Sequence, residues 1–166
     1  DMEEIPVPKA DLRVSGNILL SELGIAGKNG STDLLDIIEY LYYNHKDESL
    51  KQGFPSLKEI FFNLAKKKLG DLDSEQEIKK EVKASEQRVR RAIYQSLKHF
   101  ASLGLTDFSN WKFENYASKF FDFTSVREMM TATQRGQTLS TSSVRVNTKK
   151  FIQVFYFEAV RLYSET

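Results

Sequence analysis

The sequence predicts an all-α protein, a compact bundle of about six to eight helices that contains a helix-turn-helix. Apolar residues recur at intervals of three and four in several separate segments, and capping residues precede most of them. No segment shows the alternation of apolar and polar residues that marks a half-buried strand. Of the 166 residues, 40% are hydrophobic and 12% aromatic, which is enough for a packed core.

The composition narrows the functional classes. The net charge is only +1, so a nucleic-acid site must be a local patch instead of a property of the whole chain. The chain has no cysteine, which excludes disulfides, thiolate chemistry and cysteine-based zinc sites, and which fits a reducing cytoplasm. No signal peptide is visible, and no apolar run approaches the ~20 residues of a membrane span. We therefore expect a cytoplasmic protein without membrane contact.

The length indicates a single domain. Residues 1–13 contain two prolines and are expected to be a linker remnant, while residues 14–166 are expected to form the domain. The abrupt first residues, Asp1 and Met2, suggest a piece of a longer protein. No internal repeat is present.

Two helices are predicted in the first quarter of the chain. The first is short and apolar, covers residues 17–23 and ends at Gly24. The second covers residues 33–44, where a wide apolar face follows a cap by Ser31 or Thr32.

The connection between these helices, residues 24–32, is rich in glycine. It resembles a phosphate-binding loop, but Asn29 occupies the position of the glycine that precedes the lysine and the serine or threonine of that motif. It also follows a helix instead of a strand. The pattern therefore does not favour a nucleotide site.

A third helix is predicted from Pro55 to Leu69. Proline is favoured in the first turn, and Ser56 with Glu59 forms a capping box. Gly70 follows the last apolar residue, which is where a helix commonly ends in a left-handed residue.

The prediction of function rests on the central stretch, residues 74–104. Ser74 and Glu77 form another capping box and begin a short helix. We expect a tight turn at Lys83 and Ala84, after which Ser85 caps a long helix that runs to Leu103. A short helix, a tight turn and a long basic helix are the layout of a helix-turn-helix, whose second helix enters the major groove.

The predicted long helix has two distinct faces. The inward stripe consists of Val89, Ala92, Ile93, Leu97, Phe100 and Leu103. The opposite side carries Gln87, Arg91, Tyr94, Gln95 and Lys98, flanked by Arg88 and Arg90. Arginine can recognise guanine edges and glutamine adenine edges, and arginine and lysine also bind phosphates. The pattern alone leaves open that this side is only the solvated face of a core helix.

The last third of the chain contains three further predicted helices. An aromatic helix covers residues 109–121, and Ser125 caps a short helix that reaches Thr133. Residues 134–143 are polar, rich in serine and threonine, and expected to be a mobile connection. Asn147 then caps a final helix that reaches about Tyr163.

Two features of this region suggest contacts. Val154, Phe157 and Val160 widen the apolar surface of the final helix, so we expect it to meet more than one neighbour, such as a second copy or an adjoining domain. Arg135 and Arg145 lie in the polar connection and could reach DNA phosphates.

Three collinear blocks resemble a known family. They are LSELGI at residues 20–25, VKASEQRVRRAI at residues 82–93 and NTKKFIQVFYFEAVRLYSE at residues 147–165. In these blocks the chain is similar to the DNA-binding domain of the sporulation master response regulator of endospore-forming bacteria. It is still more similar to the output domain of GlnL/YcbB-type response regulators of glutamine-responsive two-component systems.

The resemblance implies an all-helical domain that binds double-stranded DNA as a homodimer and follows an N-terminal receiver domain. By position, Gln87, Arg88, Arg90 and Arg91 fall where the family contacts DNA, and Tyr94 lies one turn further on. The chain departs from the sporulation family in having extra residues around 66–74 and within 124–146. Arg90 also replaces a glutamate of that family, so its DNA sequence preference cannot be transferred.

These arguments together predict a sequence-specific DNA-binding regulator of glutamine or nitrogen-utilisation genes, without catalytic residues, metal ligands or cofactor. The expected DNA-contacting residues are Ser85, Gln87, Arg88, Arg90, Arg91, Tyr94, Gln95 and Lys98. With no cysteine and only two histidines, no constellation typical of an enzyme is apparent. A helical module whose basic face binds an acidic protein is the alternative.

Overall fold

A computed structural model describes residues 11–70, 74–141 and 143–165, and these residues form eight helices and no strand. The predicted all-α bundle is therefore confirmed. The helices are α1 (Leu12–Glu22), α2 (Ser31–Asn44), α3 (Asp47–Gln52), α4 (Leu57–Leu69), α5 (Glu75–Thr106), α6 (Trp111–Phe120), α7 (Phe123–Gln134) and α8 (Thr148–Glu165). Residues 1–10 of the expected linker lie outside the described residues.

Several predicted helix ends are confirmed by hydrogen bonds. The hydroxyl oxygen of Ser56 accepts a hydrogen bond from the amide of Glu59 at 3.1 Å, and that of Ser74 accepts one from Glu77 at 3.2 Å. The side-chain oxygen of Asn147 accepts a hydrogen bond from the amide of Lys150 at 3.0 Å. These caps satisfy backbone amides that have no partner within the first turn of a helix.

α1 and α7 both begin earlier than predicted. α1 begins at Leu12, because the carboxylate of Asp11 accepts a hydrogen bond from the amide of Arg13 at 3.1 Å and Leu12 is buried. α7 begins at Phe123, so Ser125 lies inside the helix and is not its cap. The hydroxyl of Ser125 instead donates a hydrogen bond to the main-chain oxygen of Arg145 at 2.8 Å.

The start of α2 also differs from the prediction. Neither Ser31 nor Thr32 provides a side-chain cap, and the N-cap is Gly30, with φ 97°. The short helix α3 was not predicted, since its six residues are too few to establish an apolar stripe.

The predicted turn at Lys83 and Ala84 is wrong, because both residues lie inside α5, one continuous helix of 32 residues. Alanine and lysine favour helix, and neither glycine nor proline interrupts the chain here. The hydroxyl of Ser85 donates to the main-chain oxygen of Val82 at 3.0 Å instead of capping a new helix. The helix-turn-helix predicted within residues 74–103 is therefore absent, and the helix expected to begin at Ser85 begins at Glu75.

α5 occupies the centre of the bundle and packs against α2, α4, α6, α7 and α8. The predicted inward stripe is confirmed from Val89 to Phe100, where each member is at most 1% exposed. Its last member, Leu103, is half-buried. Aromatic rings from α6 and α8 complete the core around Phe100. One side of α5 is thus fixed by the core, and the opposite side is left for solvent or a partner.

Candidate nucleic-acid interface

The outward side of α5 carries a continuous strip of exposed cationic and amide side chains. This surface, the α5 strip, consists of Lys80, Lys83, Gln87, Arg91, Gln95 and Lys98, all of which are exposed. At about 100° per residue these positions fall within about a third of the helix circumference, and at 1.5 Å per residue they extend about 27 Å. The acids of this stretch, Glu81 and Glu86, lie outside the sector.

The cations of the α5 strip are available to a ligand. Within the part of the chain that the structure describes, Lys80, Lys83, Arg91 and Lys98 form no ion pair. Lys98, the last residue of the strip, lies 5.9 Å from the centroid of the Tyr94 ring. Lys80 and Lys83 were not among the predicted site residues. The apolar stripe keeps its helical spacing through residues 78–93, and this could have revealed them, because it extends the same outward face by about two turns before Gln87.

Arg88 lies on the flank of α5 that faces α2, where it joins a half-buried ion-pair network. Its guanidinium donates two hydrogen bonds of 2.9 Å to the carboxylate of Asp33 and one of 2.7 Å to Glu81. The hydrogen bonds to Asp33 raise the pKa of Arg88. Arg88 therefore ties α5 to α2 in this structure, and its side chain does not belong to the α5 strip.

Glu81 contributes to the same network. Burial acts to raise the pKa of Glu81, but hydrogen bonds from Arg88 and Lys68 outweigh burial and hold this pKa below its ordinary value of 4.5. The ammonium group of Lys68 lies 3.0 Å from the Glu81 carboxylate, so α4 is linked to α5 as well. The network fixes three helices relative to one another on one flank of the strip.

The opposite flank of α5 is covered by the connection between α7 and α8. This covering segment comprises residues 135–141 and 143–147. The phenol hydroxyl of Tyr94 donates a hydrogen bond to the main-chain oxygen of Leu139, and Arg90 donates one of 3.4 Å to that of Thr141. Tyr94 is only 5% exposed and Ser85 only 8%, so neither side chain offers much surface to a ligand.

The eight predicted contact residues therefore divide into three groups. Gln87, Arg91, Gln95 and Lys98 lie together on the exposed strip. The guanidinium of Arg90 is exposed beside the strip but contacts the covering segment, whereas Ser85, Arg88 and Tyr94 serve contacts within the protein.

The glycine-rich connection has a structural explanation. A Cβ atom on Gly30 would collide with the main-chain oxygen of Arg88, so glycine allows α2 to begin directly against α5. The hydroxyl of Ser96 donates a hydrogen bond of 2.8 Å to the main-chain oxygen of Leu23, which holds the start of the connection. Glycine is thus required here for close packing.

A groove of about 810 Å³ lies between α2, α4 and α5 next to this connection. Its wall includes the carboxylates of Asp33, Asp36, Glu39 and Glu81. The wall also includes Lys28, Lys67, Lys68 and Arg88, and the last two pair with Glu81 and Asp33, so the groove has no excess of positive charge that would favour a phosphate ligand. No three or more histidine and acidic side chains come together as a potential metal site within the described ranges.

Among the described residues, no helix combines the length and apolar character needed to cross a bilayer.

Comparison with known proteins identifies the family. Transcriptional regulatory protein GlnL of Bacillus subtilis (strain 168) is 49% identical over 160 residues, which cover 95% of this chain and 51% of that protein. The chain thus spans about half the length of this relative. No solved structure matches the chain. The model of the YcbB domain matches residues 15–155, and this chain therefore belongs to the YcbB domain family.

Proposed function

We propose that this chain is the DNA-binding output domain of a two-component response regulator and that the α5 strip contacts double-stranded DNA. The observation that carries the proposal is the exposure of unpaired cations and amides along one side of a helix whose other side is fixed in the core. The similarity to a protein named as a transcriptional regulator supports the same conclusion.

The geometry supports insertion of α5 into the major groove, which is about 12 Å wide and admits one helix. Gln87 and Arg91 lie in the middle of the strip and would meet base edges, where an arginine can bind guanine and a glutamine adenine through paired hydrogen bonds. Lys80, Lys83 and Lys98 lie toward its ends and would bind phosphates. The strip extends about 27 Å, so its ends can reach the backbone on either side of the groove.

The supporting helix in this proposal is α4. It packs against α5, and its Lys68 pairs with Glu81 near the start of α5. α4 ends at Leu69 and α5 is capped by Ser74, so two adjacent helices with a short connection stand in the order of a helix-turn-helix. In this assignment α4 takes the place of the short helix that the sequence analysis expected between Ser74 and the turn at Lys83.

The remaining parts of the proposal concern the whole regulator. We propose a homodimer that places two α5 helices about 34 Å apart, one turn of DNA. Val154, Phe157 and Val160 of α8 are half-buried, and they are the proposed contact with a second copy or with an N-terminal receiver domain. Control of glutamine or nitrogen-utilisation genes is proposed from the similarity to GlnL.

Selection of bound duplexes from a random pool tests the proposal. We expect enrichment of a short motif, repeated at a spacing of about one helical turn if the domain dimerises. Retention on unselected duplex should fall steeply with salt, because bound phosphates release counterions. If no motif is enriched and random duplex is not retained at low salt, DNA binding is contradicted and a module for an acidic protein partner is favoured.

A further inference from the structure

We infer that the covering segment is a second phosphate-binding element that contacts the same duplex as the α5 strip. The inference rests on the proposed DNA binding by α5. It assigns a role to a region for which neither the family match nor the named relative indicates one.

Every charged residue in this region is basic. No aspartate or glutamate occurs in residues 129–157, although the chain as a whole is nearly neutral. The same stretch contains Arg135, Arg145, Lys149 and Lys150, and most of the intervening residues are hydroxyl or amide residues. Cations together with hydroxyl and amide donors are the groups that bind DNA phosphates.

The covering segment lies directly beside the α5 strip. Tyr94 is separated from Gln87 by only about 20° around the helix axis, which would place it within the exposed sector. It is nevertheless 5% exposed, because residues of the covering segment lie over it and accept its hydroxyl hydrogen bond at Leu139. A duplex that contacts the strip would therefore meet the covering segment along one edge.

The two flanks of the strip differ in charge. On the α2 side, the carboxylates of Asp33 and Glu81 are paired with Arg88 and Lys68, so the negative and positive charges of this flank balance and attract a DNA backbone little. On the other side, the covering segment offers only positive charge. The covering segment therefore attracts a DNA backbone beside the α5 strip more strongly than the α2 flank does.

The segment is also held in place at its C-terminal end. Val144 is fully buried, and the main-chain oxygen of Arg145 accepts the hydrogen bond from Ser125. Lys150 pairs with Asp122 at 3.2 Å, so it is engaged within the protein. Arg135, Arg145 and Lys149 are exposed and form no ion pair with any described residue, which leaves their charges for a phosphate.

The test compares duplex binding by the parent chain with binding by the double variant Arg135→Ala, Arg145→Ala. The probes are a random-sequence duplex and the duplex selected by the parent. The control variant is Lys46→Ala, Lys51→Ala, which removes two exposed cations from the ends of α3, outside both surfaces. Affinity is measured as a function of salt.

We expect the double variant to flatten the slope of log affinity against log salt by about 1.8, since each phosphate contact contributes about 0.9. The selected motif should stay the same, because phosphates carry no sequence information. The control variant should keep the parental slope.

Two results would overturn the inference, and they are distinguishable from failure of the proposed function. If the parent binds its selected duplex and the double variant retains the parental slope, or if the α3 control flattens it equally, the covering segment does not bind DNA although α5 does. If the parent binds no duplex at all, the proposed function and this inference both fail.

Discussion

The phenol hydroxyl of Tyr94 donates a hydrogen bond to the main-chain oxygen of Leu139, a residue 45 positions further along the chain. This contact joins the central helix to the connection between the last two helices. It also explains how a tyrosine on the outward side of α5 becomes buried. The ring in turn contacts Lys98, so the hydrogen bond helps to define one edge of the proposed DNA-binding surface.

Replacing Tyr94 with phenylalanine should loosen the covering segment. The ring and its packing are kept, but the oxygen of Leu139 loses its donor, and we expect a loss of about 1 kcal/mol in the free energy of unfolding. Amide exchange in residues 135–141 should become faster. Tyr43→Phe is the control, because Tyr43 is 70% exposed. Equal exchange rates in both variants would show that the hydrogen bond does not hold the segment.

Asp33→Asn should destabilise the fold through Arg88. The substitution removes the negative charge that accepts two hydrogen bonds from the guanidinium, and hydrogen bonds to charged groups contribute about 1.5–3 kcal/mol each before solvent screening. Since the two side chains are 18% and 24% exposed, we expect a net loss of about 1–3 kcal/mol in denaturant unfolding.

The matched control for this variant is Asp36→Asn. Asp36 pairs with Arg13, but its side chain is 46% exposed, so the expected loss is below about 1 kcal/mol. A loss at Asp33 no larger than that at Asp36 would contradict a structural role for the Arg88 network.

Two glycines in the connection between α1 and α2 allow the stability cost of a steric collision to be distinguished from that of backbone strain. Gly27 and Gly30 both have positive φ, 73° and 97°, but a Cβ atom on Gly27 would meet nothing within 4 Å, whereas one on Gly30 would collide with the main-chain oxygen of Arg88. We expect Gly27→Ala to cost about 1–2 kcal/mol from strain alone.

Gly30→Ala should cost about 1–3 kcal/mol more than Gly27→Ala, because α2 must move away from α5. Thermal or denaturant unfolding of the two variants measures the difference. Equal losses would mean that the close approach of Gly30 to α5 is not required.

His99 should make stability depend on pH. Burial, and to a lesser extent the charge of Lys112, lowers the pKa of His99 below its ordinary value of 6.5. The unfolded chain then binds a proton more readily than the folded one, so the free energy of unfolding should fall as pH decreases from above 6.5 toward the folded pKa.

This part of the decline should be absent from His99→Gln. Denaturant unfolding of both proteins across this pH range gives the comparison. Parallel pH profiles for the two proteins would show that His99 does not titrate differently on folding.

Helix caps and apolar stripes made most of the fold predictable from the sequence. The boxes at Ser56 and Ser74 and the cap at Asn147 predicted helix starts correctly, because these hydrogen bonds are local. The predicted break at Lys83 and Ala84 failed because a serine was interpreted as a cap where the apolar stripe continued in phase.

The candidate site was predictable only where it depends on helix periodicity. Gln87, Arg91, Gln95 and Lys98 are exposed as their spacing indicates. Arg88 and Tyr94 were not separable from them, since their partners Asp33 and Leu139 are 55 and 45 residues away in sequence. Such long-range contacts arise from tertiary packing, which local patterns do not encode.

Binding of Arg91→Ala to the duplex selected by the parent tests most directly whether the α5 strip recognises DNA. The account predicts a loss of about 1–3 kcal/mol on the selected duplex and weaker discrimination against a scrambled one. In the same titration Lys98→Ala should weaken both duplexes alike and reduce the salt slope by about 1. If both variants bind the selected duplex with the parental affinity and salt slope, the strip is not the DNA-binding surface.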